Sequence, residues 1–183
     1  MFQRATSRSS RTSSLRTRMA VLAAAVGATA VVGTGVASAA APSAAAWVDP
    51  VKKYSLSATF MQSGALWQAK HSGQDFAVPT GTEVVAAHGG TVVKAGPNGA
   101  GDGHAYGNAV VIKHGNGTYS QYAHLSRIDV KAGQIVATGQ RIALSGSTGN
   151  FTGPHLHFEI RTTPHHGSAV DPVTFLRGKG VTL

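Results

Sequence analysis

From Trp47 onward the chain is built of short β-branched runs cut apart by glycine-rich turns, and no window supports a long amphipathic helix. The runs are Glu83-Val84-Val85-Ala86, Thr91-Val92-Val93-Lys94, Ala109-Val110-Val111-Ile112 and Gln134-Ile135-Val136. Short apolar runs between turn formers argue for an all-β fold with an antiparallel sheet or sandwich core. The sharpest local expectation is a hairpin. Val110–Lys113 and Thr118–Tyr122 flank His114-Gly115-Asn116-Gly117, and Asn-Gly is a strong hairpin signal. The second strand is expected to run on to Leu125, which would place Tyr122 and His124 on one face. Residues 81–96 and 130–146 read as two more β pairs, turning at His88-Gly89-Gly90 and Ala137-Thr138-Gly139. Residues 145–154 read as a loop that delivers the chain into a strand at 154–161. Asp171-Pro172 reads as the N-cap and first position of a short helix.

Charge divides the chain of 183 residues. Residues 1–18 hold five arginines and no acid, and 19–48 carry no charge, ending near Ala37-Ser38-Ala39. A basic start, an apolar run and a small-residue site read as a secretory signal peptide over 1–39. The competing reading is an uncleaved membrane anchor. No Arg-Arg pair marks the twin-arginine route. Residues 40–46 read as a flexible spacer, and 47–183 as one continuous domain. Without the five leading arginines, 11 basic and 7 acidic residues leave +4 rather than +9. No basic cluster survives, so nucleic acid is not an expected partner. The exported chain is expected to be a monomer with no stable membrane association. With no cysteine in the chain, thiolate catalysis and cysteine-ligated zinc are excluded.

Chemistry concentrates in the histidines. On a strand, His155 and His157 share one face and Leu156 and Phe158 the other, because side chains alternate. Upstream, His71-Ser72-Gly73-Gln74-Asp75 offers another imidazole and a carboxylate. Gly73 and Val78-Pro79 argue for a loop feeding a short strand rather than a helix. Two histidines and a carboxylate suit a catalytic zinc, which keeps a fourth position for water. One ring of the His155/His157 pair can bind metal while the other stands beside it. His124 is a further candidate. The bland alternative is a scatter of polar residues on strand edges. Glu159, next on the same face, is either a partner for a histidine or an exposed charge. His88, His104, His114, His165 and His166 sit in predicted turns and read as solvated.

Four segments taken in order closely resemble the lysostaphin-type (LytM-like) zinc endopeptidases. They are His71 to Thr82, Val84 to Val93, Tyr122-Ala123-His124-Leu125, and Gly153-Pro154-His155-Leu156-His157-Phe158-Glu159. The resemblance spans roughly 54–175. It implies an antiparallel β core with loops walling a groove, one zinc per chain, and a peptidoglycan peptide as substrate. By the same resemblance His71, Asp75 and His157 are the zinc ligands, and His124 and His155 the histidines that assist catalysis. Two departures stand out. No tyrosine occurs between Phe60 and Lys70, where Trp67 stands, and the Gly-x-Arg ahead of the motif is missing. The other functional readings are a catalytically inactive wall-binding or hydrolase-activating relative, a zinc amidase, and a lipoyl- or biotin-carrier-like β-sandwich around Lys94 or Lys131.

Overall fold

The computed structural model describes residues 46–64, 70–150 and 153–183. The expected signal peptide, nearly all of the spacer and Trp67 lie outside the described residues. Among those described, no helix is long and apolar enough to cross a membrane.

The fold is almost entirely antiparallel sheet. In chain order the strands are β1 (Ser55–Leu56), β2 (Gln74–Ala77), β3 (Glu83–Val85), β4 (Gly90–Gly96), β5 (Ala109–His114), β6 (Tyr119–Ala123), β7 (Arg127–Ile128), β8 (Ile135–Val136), β9 (Arg141–Leu144), β10 (His155–Arg161) and β11 (Ala169–Val170). One helix, α1 (Pro172–Gly178), follows them. The large sheet runs β1-β2-β10-β6-β5-β4-β8, with β11 also on β10, and a smaller sheet runs β3-β9-β7.

Alternation along the strands divides the large sheet into two faces. Phe76, Val92, Val110, Ile112, Tyr122, Leu156, Phe158 and Ile160 are fully buried on one face and join Val84, Ile142 and Ala143 of the small sheet in a single core. The opposite face of β10 carries His155, His157, Glu159 and Arg161. Register brings His157 level with Asp75 on β2 and with Ala123 on β6. The central strand of the site is therefore held by ladder hydrogen bonds on both edges.

The expected hairpin forms, with Lys113 opposite Tyr119. The N-cap forms too, as Asp171 Oδ1 accepts from the N–H groups of Val173 and Thr174. The other two β pairs do not form as expected. β3 pairs with β9 and β4 with β8, so the two segments exchange partners between sheets. Ala86 and Ala87, fully buried, carry the chain across. The N–H of Ala86 goes to the Gln140 carbonyl, and that of Ala87 to the Tyr122 hydroxyl at 2.8 Å. Residues this small let the crossing lie inside the core, where a tight turn at His88-Gly89-Gly90 would have kept β3 beside β4.

His114 also departs from expectation: it is buried, only 2% exposed. Its Nδ1–H donates to the Gly89 carbonyl at 3.0 Å, and Nε2 faces the Ser120 hydroxyl at 2.8 Å. The rings of Trp47 and His88 pack against it. Burial, only partly offset by the Gly89 bond and aided by the neighbouring His88, pushes its pKa down to about 4. The native state thus holds His114 neutral while the unfolded chain protonates near pH 6.5. Stability on this account is full above that value and falls as pH drops toward 4. By pH 5 the total loss from this residue is about 2 kcal/mol. His114→Gln should flatten the curve of urea-unfolding free energy against pH between about 6.5 and 5. An unchanged slope would count against a neutral buried His114.

Candidate active site

His71 lies in the loop ahead of β2, tied by its N–H to the Gln62 carbonyl and by its carbonyl to the Met61 N–H. Asp75 is on β2 itself. Gly73 between them permits the approach of this loop to β10: a Cβ there would sit 2.4 Å from the Phe158 carbonyl oxygen and 2.9 Å from His157 Cε1. The loop therefore presses directly on the central strand and brings His71 to His157.

Three donor atoms meet there. His71 Nε2 is 3.1 Å from His157 Nδ1 and 3.2 Å from Asp75 Oδ1, and His157 Nδ1 is 2.9 Å from Asp75 Oδ1. Tetrahedral zinc with bonds near 2.0–2.1 Å separates its ligands by about 3.3 Å, so the triangle is within about 0.4 Å of that size. The far side of each ring is occupied in the sense ligation requires. His71 Nδ1–H donates to the Thr59 carbonyl at 2.9 Å, leaving Nε2 with its lone pair. His157 Nε2–H donates to Glu159 Oε1 at 3.0 Å, leaving Nδ1 with its lone pair. Such outer partners fix tautomer and ring orientation in metal sites. His71, Asp75 and His157 thus form a group that could hold a metal ion, and their donor chemistry fits zinc. Burial opposes charge on both Asp75 and His157. For Asp75 the hydrogen bonds and charges of His157 and His71 outweigh it and hold the carboxyl below its usual range; for His157 those of Asp75 and Glu159 raise it to about 9, so a metal ion taking Nδ1 would displace the proton that this atom otherwise shares with Asp75.

His124 and His155 stand beside the triangle. Their rings are 4.6 Å apart, and the His124 ring is 5.8 Å from that of His157. The expected strand through Leu125 would have pointed His124 into the core with Tyr122. Instead β6 ends at Ala123, and His124 adopts φ +58°. This left-handed residue swings the imidazole back to the site face. Two loops hold it there. The His124 N–H donates to the Tyr106 carbonyl at 2.9 Å, and Nδ1–H to the Thr148 carbonyl at 2.7 Å. Thr148 sits where those loops interlock. A Cβ on Gly107 would lie 2.4 Å from its carbonyl carbon, and one on Gly149 would lie 2.4 Å from Ala105 O. Both glycines also have positive φ, so neither position accepts a side chain without moving the opposite loop. His155 Nδ1–H donates to the Gly153 carbonyl at 2.8 Å. Each of the two histidines is thereby left with Nε2 as its basic atom. Burial, with the adjacent His157 ring, pushes His124 down to about 4.

All five site residues read from the sequence are thus brought to one end of the β10 face. Glu159 is not the exposed charge it could have been: it is fully buried. Arg161, Tyr106 and Asp102 went unremarked in the sequence. The period-two series His155, His157, Glu159, Arg161 is a signal that places Arg161 on the site face. Tyr106 and Asp102 lie in a glycine-rich loop whose course nothing in the sequence discloses. The Tyr106 hydroxyl donates to Glu159 Oε1 at 2.8 Å, behind the His157 ring.

The sequence profile of Peptidase family M23 matches residues 69–172, more than half of the chain. The chain belongs to peptidase family M23. Among curated relatives, this M23 chain is 53% identical over 93 residues to the peptidoglycan DD-endopeptidase ShyA of Vibrio cholerae, covering 50% of this chain and 20% of that protein. It is 41% identical over 112 residues to the glycyl-glycine endopeptidase ALE-1 of Staphylococcus capitis, covering 60% of this chain and 30% of that protein. The catalytic domain of lysostaphin from Staphylococcus simulans superimposes with a TM-score of 0.61 at 35% identity, over 68% of this chain and 92% of that one. The M23 chain therefore spans about a fifth to a third of these curated relatives' length.

Proposed function

We propose that this M23 chain is a secreted, zinc-dependent endopeptidase that hydrolyses peptide bonds in the stems or cross-bridges of bacterial peptidoglycan. The observation that carries the reading is the meeting of His71, Asp75 and His157 at tetrahedral spacing beside two histidines whose Nδ1 atoms are already committed. His71 Nε2, Asp75 Oδ1 and His157 Nδ1 would hold the ion. When bound, zinc supplies Lewis acidity toward a scissile carbonyl and lowers the pKa of water to about 7.

The protein's own groups do the rest. The Gly153 carbonyl holds the His155 ring so that Nε2 faces the site, where it accepts a proton from the attacking water and returns it to the leaving amine. The Thr148 carbonyl does the same for His124, whose Nε2 lone pair shares the proton transfer. The names of the relatives support a peptidoglycan substrate. Secretion is supported by the pattern of residues 1–39.

The zinc claim is tested by elemental analysis of the purified chain. The expected result is one zinc per chain, with hydrolysis abolished by a chelator and restored by zinc at neutral pH. No bound zinc after reconstitution would remove the enzyme reading.

A further inference from the structure

Behind His157, on the side away from the triangle, a run of buried charged groups extends along and across the large sheet. Glu159 Oε1 accepts from His157 Nε2 and from the Tyr106 hydroxyl, and Oε2 from Arg161 Nε at 2.5 Å. Arg161 Nη1 donates to Asp102 Oδ2 at 2.7 Å, and Nη2 to Gln121 Oε1 at 2.6 Å. Asp102 Oδ1 accepts from Lys94 Nζ at 2.6 Å. Glu159 and Arg161 have no solvent exposure at all, whereas the Lys94 side chain retains 18%.

Burying such charges gives little net stability, since desolvation offsets the attraction and apolar residues of similar volume often do as well or better. Yet the chain bends its backbone to complete the run. β4 shifts register between Val92 and Lys94. Without that bulge, Lys94 would share the core face with Val92. With it, Lys94 falls opposite Val111 on the site face, beside Asp102. Bulges that re-aim a side chain are common next to functional sites. Gln121 shows the same priority: its oxygen is turned to Arg161, and its Nε2 has no partner among the described residues.

The geometry is that of a clamp. A planar guanidinium tied to three acceptors cannot swivel, and it presents a fixed fork to a carboxylate. The Glu159 carboxylate, filled by three donors, cannot swivel either. His157 Nε2–H then meets a stationary acceptor, and Nδ1 stays aimed at Asp75 and His71.

We propose that Arg161, braced by Asp102 and Lys94, is a positioning residue for metal binding, acting through Glu159 to hold the His157 imidazole in its ligating orientation. The proposal rests on the zinc reading above and deepens it. The test is zinc affinity, measured by chelator competition on the purified full chain, for wild type, Glu159→Gln, Arg161→Met, the double variant and Asp102→Asn. Each of the two single variants at Glu159 and Arg161 should bind zinc roughly 10- to 100-fold more weakly, the usual effect of removing an outer-shell partner. Arg161→Met should add little in the Glu159→Gln background, because both act on one ring. Asp102→Asn, one step further out, should weaken zinc several-fold and serves if Arg161→Met does not fold. The visible spectrum of the cobalt-substituted protein should change in the same variants. A folded Arg161→Met chain with wild-type zinc affinity, or losses that simply multiply in the double variant, would overturn the clamp alone. A wild-type chain that binds no zinc would overturn the zinc reading and the clamp with it.

Discussion

Replacing His157 by Ala is expected to remove the metal and, with it, peptidase activity by a factor on the order of 10,000 or more. The magnitude follows from the donor count. His71, Asp75 and His157 are the three atoms of the triangle, and a catalytic zinc needs three protein ligands. Two remaining donors cannot hold it against dialysis, and Lewis-acid catalysis worth several kcal/mol is lost with it. Asp75→Ala should behave in the same way. Exposed His104 is the control: His104→Ala should leave zinc content and activity unchanged. Elemental analysis and hydrolysis rates on the same preparations make the check. Full zinc content with lost activity in His157→Ala would place the ligand elsewhere.

The two neighbouring histidines should behave oppositely toward metal. Removing either His124 or His155 is expected to leave one zinc per chain while lowering the rate by roughly 100- to 10,000-fold, the typical worth of general acid–base help. Their Nδ1 atoms are spent on the Thr148 and Gly153 carbonyls, and neither histidine belongs to the triangle. For His155 the substitution is Ala. For His124 it is Asn, because the backbone there has φ +58° and Asn tolerates that region while Ala is strained. Retained zinc with a lowered rate supports the assignment. Loss of zinc from the His155 variant, with retention in His157→Ala, would reverse the roles of the pair.

The sequence made legible what depends on period and spacing. His155 and His157 share a face because a strand alternates, and the same rule sent Leu156 and Phe158 into the core. The hairpin at Asn116-Gly117 and the cap at Asp171 follow from local turn chemistry. What it did not disclose depends on contacts between distant segments. β3 and β4 part company because Ala86 and Ala87 are small enough to cross the core, and their bonds to Gln140 and Tyr122 are settled only by packing. The direction of His124 turns on a single left-handed residue, imposed by loops around Tyr106 and Thr148 that lie far along the chain. His114 looked like a turn residue beside glycine. Its burial comes from Trp47 and Ser120 closing over it.

The most direct measurement is mass spectrometry of the fragments that the zinc-loaded chain releases from purified peptidoglycan of defined cross-bridge composition. The account predicts new amino and carboxyl termini inside stem peptides or cross-bridges, absent when His157 is Ala. Release of intact stems cut from the glycan would make the enzyme an amidase. No release from any peptidoglycan type, by a chain carrying its full zinc, would contradict the account.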